Sequence, residues 1–138
     1  MALAQTLNTN EIKDASGLEV EMQRLTSSPS VFAKIGEQPS LQYRMSISHQ
    51  ESGTGLAKRR RSVIRFDKNV LGNVDVTKTY RNSAYVVLDR GIGQENNDAE
   101  AKNVLANLMS FLATTGAAST VLFDCTGTGA SNLISQGS

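Results

Sequence analysis

The chain of 138 residues has one cysteine, one histidine, two prolines and no tryptophan. With Cys125 as its single thiol it cannot form an intrachain disulfide. One cysteine and one histidine, His49, also cannot furnish the four ligands of a Cys/His zinc site. Cys125 reads as an inert thiol near the end of the folded part rather than a reactive one. Aromatic residues make up only 5% and hydrophobic residues 39%, which is low for a self-sufficient globule, so burial in an oligomer would help. No apolar run approaches the length that crosses a bilayer. The opening MALAQTLNTN lacks a basic n-region and a continuous apolar core, so it is not read as a signal peptide, and a soluble protein made in a cytoplasm is expected. Enzyme signatures are missing too. There is no Walker A, HExxH or GxSxG sequence, and Gly91-Ile92-Gly93 is followed by Asn96 where a dinucleotide fingerprint requires a third glycine. The chain is therefore not read as an enzyme, and no catalytic residue, cofactor or metal is expected.

What the sequence does have is alternation. Three strands are predicted at about 41–50, 58–68 and 79–90, each with one apolar and one polar, largely basic side. In the first, Leu41, Tyr43, Met45 and Ile47 face one way, and Gln42, Arg44, Ser46, Ser48 and Gln50 the other. In the second, Ile64 and Phe66 oppose Arg61, Val63, Arg65 and Asp67. In the third, Ala84, Val86 and Leu88 oppose Tyr85, Val87 and Asp89. Such a pattern describes a sheet covered on one side and open on the other. His49 falls on the apolar side by phase and reads as structural rather than as a catalytic base.

Earlier in the chain, residues 2–9 and a strand opening at Gly17 suggest an N-terminal hairpin, and residues 30–35 a short strand ended by Gly36 and Pro39. After the third strand, Asn97 can cap a helix, with Glu100 in capping-box spacing. Ala101, Val104, Leu105, Leu108, Phe111 and Leu112 form its apolar stripe, and it is expected to run to about Thr115. Residues 117–125 read as a second short helix or a last strand, and the Gly/Ser-rich 126–138 as a flexible tail after a domain spanning 1–125, unless Leu133 and Ile134 dock on something. Strands first and helices last make an α+β fold, with helices on one face of an antiparallel meander.

Net charge is only +1, but Lys58, Arg59, Arg60, Arg61 and Arg65 lie within eight residues. Alone such a run can be a solvated strand start or edge protection. Arg44, Ser46 and Ser48 on one strand, Arg61, Val63 and Arg65 on the next, and Tyr85 on the third would share one face, where arginines hold phosphates and an aromatic stacks a base. Tyr85 could equally be a plain strand former. The segment 69–78, with Val70, Leu71, Val74 and Val76, is unusually apolar for an exposed loop. It either folds back as hairpin ends or meets another subunit, and the second is favoured.

Tyr43-Arg44-Met45-Ser46-Ile47-Ser48, Arg61-Ser62-Val63-Ile64-Arg65-Phe66 and Arg81-Asn82-Ser83-Ala84-Tyr85-Val86-Val87-Leu88-Asp89, in this order and spacing, resemble coat proteins of single-stranded RNA bacteriophages (leviviruses). Val31-Phe32-Ala33-Lys34-Ile35-Gly36 resembles the strand before the meander in some members. The resemblance implies an N-terminal hairpin, a five-stranded antiparallel meander, one long and one short helix, and an interlocked homodimer with a continuous ten-stranded sheet whose helices cover the partner's sheet. It further implies an icosahedral shell of T=3 type, a capsid location, and an inner sheet face that binds viral RNA, including a hairpin through which replicase translation is repressed. The RNA-binding positions so implied are Arg44, Ser46, Ser48, Gln50, Arg61, Val63, Arg65, Tyr85, Val87 and Asp89. Val70, Leu71, Val74 and Val76 become a capsid-contact loop. Val63 and Val87 depart from members that are polar there, and Asp67 and Asp89 would repel phosphate unless paired with Arg65 or Arg61. The rival reading is a dimeric cytoplasmic RNA-binding regulator that never forms a shell.

Overall fold

The computed structural model describes residues 3–27, 29–113 and 128–135. Its residues divide into two compact units, one drawn from Met1–Thr9 and Glu21–Glu95, the other from Asn10–Val20 and Asn96–Ser138.

The first unit is a single antiparallel sheet. Its strands are β1 (Thr6–Leu7), β2 (Met22–Ser27), β3 (Ser30–Lys34), β4 (Tyr43–Ser52), β5 (Arg59–Leu71) and β6 (Thr79–Arg90), hydrogen-bonded in chain order. The N-terminal hairpin is thus continuous with the meander, because β2 pairs with β3, and the described strands number six in all. The turns lie where glycine permits them. Gly36 and Gly53 have φ of 81° and 79°, and a Cβ on Gly53 would also stand 2.7 Å from the Ala57 carbonyl oxygen. β6 has the bounds expected from its alternation. β5 runs further than expected, to Leu71, so Val70 and Leu71 are strand residues opposite Tyr80 and Thr79 and not part of a loop. The pairing ladder continues through both residues, and the chain turns only at Gly72.

The core of this unit lies toward β1–β4. Leu7, Met22, Phe32 and Met45 share one face by register, and Met22 and Phe32 are completely buried. Arg24, beside Phe32 in the register, lays its guanidinium 5.1 Å from the ring centroid and donates from Nη2 to the Leu3 carbonyl. A register shift between Arg24 and Thr26 marks a bulge in β2.

In the second unit, the strand expected from Gly17 does not form as such. Gly17 sits at φ 81° in a turn in which Asp14 Oδ1 accepts the Ser16 and Leu18 amides, and between β1 and β2 the pairing is an isolated Lys13–Glu19 bridge. Helix α1 (Ala99–Ala113) starts as expected, with Asn97 Oδ1 accepting the Ala99 amide and Glu100 in the first turn. A second helix, α2, spans Thr128–Ser135, inside the segment expected as a flexible tail. Glycine makes that segment a poor helix by propensity, yet Gly129 is what allows close packing. A Cβ there would lie 2.5 Å from Phe111 Cδ2, and Gly129 and Ala130 are buried. The expected short element at 117–125 and Cys125 lie outside the described residues.

Candidate nucleic-acid interface

Strand register decides whether the polar residues of β4, β5 and β6 meet. Gln50, Arg61 and Asp89 form one cross-strand row, Ser48, Val63 and Val87 the next, and Ser46, Arg65 and Tyr85 the third. Arg44, Asp67 and Ser83 form a fourth. All ten sequence-predicted positions therefore lie on one face of three adjacent strands. At standard strand spacing the patch measures about 10 Å by 20 Å. Its centre is apolar at Val63 and Val87, and Tyr85 stands 62% exposed.

The arginines are not equivalent. Arg44 donates from Nε and Nη2 to Glu37 Oε1 at 3.0 and 2.6 Å, while Glu37 Oε2 accepts the Tyr43 amide at 2.9 Å. The Arg44 side-chain hydrogen bond, chiefly, holds the Glu37 carboxyl below its ordinary value, against some burial. Arg65 Nε donates to Asp67 Oδ1 and Oδ2 at 2.9 and 3.1 Å, and its guanidinium lies 5.8 Å from the Tyr85 ring centroid. Ser83 Oγ donates to the same carboxylate, and this bond, ahead of Arg65, lowers the Asp67 pKa. Asp89 is held by Arg59, through Nε to Oδ1 at 3.0 Å, and not by Arg61. Arg61 is exposed and makes no ion pair with a described residue.

Two groups missed by the sequence reading join the patch. Arg81, opposite Asn69 one row beyond Ser83, donates from Nε to Asn69 Oδ1 at 3.0 Å. Arg59 lies two residues before Arg61 on the same side of β5. The alternation of β6 carried the signal for Arg81. The Arg59–Asp89 pair required the register. The face thus has five guanidiniums, of Arg44, Arg59, Arg61, Arg65 and Arg81, against the carboxylates of Glu37, Asp67 and Asp89. Three arginines are already charge-neutralised, so hydroxyl, amide and stacking contacts must carry more of any nucleic-acid binding than a bare arginine comb would.

The other side of the sheet has different chemistry. His49 Nδ1 lies 2.7 Å from Ser62 Oγ, its cross-strand neighbour. Further along, Lys68 Nζ lies 5.1 Å from the Tyr43 ring centroid. Among the described residues, no three His, Cys, Asp or Glu side chains gather to hold a metal ion, and no helix is long and apolar enough to cross a membrane.

The 72–78 loop is a closed turn. The Gly72 amide donates to the Lys78 carbonyl at 2.8 Å, and the Lys78 amide to the Asp75 carbonyl at 3.2 Å. Asp75 Oδ1 accepts from the Thr77 amide at 3.0 Å and its hydroxyl at 2.6 Å. Val74 is fully exposed and Val76 is 68% exposed.

No family model and no curated protein matches the chain. Among solved structures, the coat protein of bacteriophage EMS014 superposes with a TM-score of 0.62 at 15% identity, covering 85% of this chain and 86% of that one. A virus-like particle of bacteriophage AVE015 gives a TM-score of 0.49 at 14% identity, over 87% and 82% of the two chains. At such identity the EMS014 likeness is one of architecture: the chain has the fold of a bacteriophage coat protein.

Proposed function

We propose that this chain is the coat protein of a single-stranded RNA bacteriophage, that it does no chemistry, and that it works by self-assembly around nucleic acid. The observation that carries the reading is the coat-protein fold along nearly the whole chain. Surface chemistry supports it. β6 is an edge strand of 12 residues, a row of unpaired backbone groups suited to a second copy. On the apolar side of the β5–β6 hairpin Ile64 is 44% exposed, and on α1 Val104, Leu108 and Phe111 are exposed as well. Two copies joined at β6, with the helices of each covering the sheet of the other, would bury both surfaces and make one continuous sheet of twelve strands, six from each copy, where the resemblance implied ten. Dimers would then meet through the 72–78 loops and close by symmetry into an icosahedral shell. The open face would turn inward. There Arg61, Gln50 and the serines would meet phosphate and sugar, and Tyr85 would stack a base. Binding of one operator hairpin, with repression of the replicase, is the more specialised form of that contact.

Expression of the chain alone, followed by negative-stain electron microscopy and extraction of nucleic acid, tests the reading. Closed uniform particles containing RNA are expected. A homogeneous dimer that binds RNA and forms no particle at any salt concentration would replace the coat protein by the dimeric regulator.

A further inference from the structure

Arg65 and Tyr85 face each other across β5 and β6, and two residues along Asp67 faces Ser83. These four side chains close a ring of contacts on the open face. Arg65 Nε reaches both Asp67 oxygens, at 2.9 and 3.1 Å, and its Nη2 donates to Ser83 Oγ at a long 3.5 Å. Ser83 Oγ donates in turn to Asp67 Oδ1. The guanidinium held in this way lies over the Tyr85 ring, 5.8 Å from its centroid, while the ring itself is mostly exposed. One row along the same face stand Val63 and Val87, which offer a base plane an apolar neighbour.

The geometry points to Arg65 as a positioning residue that fixes the Tyr85 ring as the seat of an unpaired RNA base, and not as a phosphate ligand. This rests on the nucleic-acid reading given above. An arginine on an open sheet ordinarily offers its planar fork to phosphate. Here Asp67 neutralises that charge, and a phosphate would have to displace a carboxylate that both Arg65 and Ser83 hold. Arg81, the other cation acting on Asp67, is itself bonded to Asn69. A cation over one face of the ring leaves the opposite face for a base. Holding the ring before contact removes an entropic cost from binding. A base inside an A-form duplex is already stacked and cannot lie on the ring, so the ligand is a single strand, loop or bulge.

The test compares two probes on the purified full chain, freed of co-purified nucleic acid: an oligouridylate of about eight nucleotides and an abasic ribose-phosphate chain of equal length. The parent should bind the oligouridylate about tenfold more tightly. Tyr85→Ala should erase that preference. Arg65→Met combined with Asp67→Asn removes opposite charges together. This double variant should reduce the preference to about twofold, with the affinity for the abasic chain and the salt slope of binding unchanged. Ser83→Ala, which leaves every charge in place, should reduce it to about fourfold. A double variant that keeps the full preference and loses about one unit of salt slope would make Arg65 a phosphate ligand. That result, or an equal loss on both probes, would overturn the inference and leave the nucleic-acid reading intact. Retention of the preference in Tyr85→Ala would place the base elsewhere and overturn the inference with it. A parent that binds neither probe would overturn both.

Discussion

The two ends of the sheet are built on different terms. Toward β1–β4, Met22 and Phe32 are fully buried and Met45 nearly so. At the β5–β6 end the strands are the longest of the fold, yet Ile64, Tyr80 and Leu71 are exposed on a single chain. The hydrogen-bond ladder runs through both ends, interrupted only by the β2 bulge at the β1–β4 end, so a better ladder is not what buries that end. What differs is apolar burial, the main favourable term in folding. One end carries its own core. The other has the alternation of a half-covered sheet with large apolar side chains left exposed, the surface that the proposed dimer would bury.

That contrast can be broken most severely at Phe32. Phe32→Ala should cost about 3–5 kcal/mol, and denaturant melts should show a chain that barely folds. An effect below about 1 kcal/mol would mean that the β1–β4 end is not the stabilising core. Next comes Ile64→Glu. A charge in the surface left open on β5 should abolish dimers while costing an isolated chain little, and sedimentation of the variant should find no dimer at concentrations where the parent is wholly dimeric. A dimer of parental affinity would show that this face is not the interface.

A smaller contrast lies within the polar face. Arg61 makes no ion pair with a described residue, whereas Arg44 is bound to Glu37. Arg61→Ala should therefore weaken RNA binding across sequences and reduce the salt slope by about one. Arg44→Ala should change the slope by less. Equal slopes for both variants would mean that the Arg44–Glu37 pair opens on binding. The smallest effect concerns acid. Glu37 and Asp67 have carboxyls held below their ordinary values in the folded chain, so the stability they add is complete above the ordinary carboxylate range. It fades as pH falls from about 4 through their lowered values. Glu37→Gln and Asp67→Asn should each flatten the acid limb of a thermal-midpoint-against-pH curve, and an unchanged limb would show that these bonds do not contribute.

Much of this was legible in the residues. Strict alternation put Arg44, Ser46 and Ser48, then Arg61 and Arg65, then Tyr85 on one face, and the register agrees. The β6 bounds were legible because no glycine or proline interrupts them. The end of β5 was not, because Asn69 looks like a turn residue while the chain turns only at Gly72. α2 was missed because local propensity argues against a helix at Gly129, and only the ring of Phe111 explains why a glycine is tolerated there. Pairing of Asp67 with Arg65 follows from their two-residue spacing on one strand. Pairing of Asp89 with Arg59, and of Arg44 with Glu37, depends on register and on the path of the 36–42 loop. Alternation also announces that a face is covered without saying by which chain.

Sedimentation velocity of the purified chain over a dilution series, read at protein and nucleic-acid wavelengths, tests self-completion most directly. Expected are large uniform particles carrying nucleic acid, falling on disassembly to dimers, with monomer appearing only at the lowest concentrations. A folded monomer that persists at high concentration, with the β5–β6 surface still open to solvent, would contradict it.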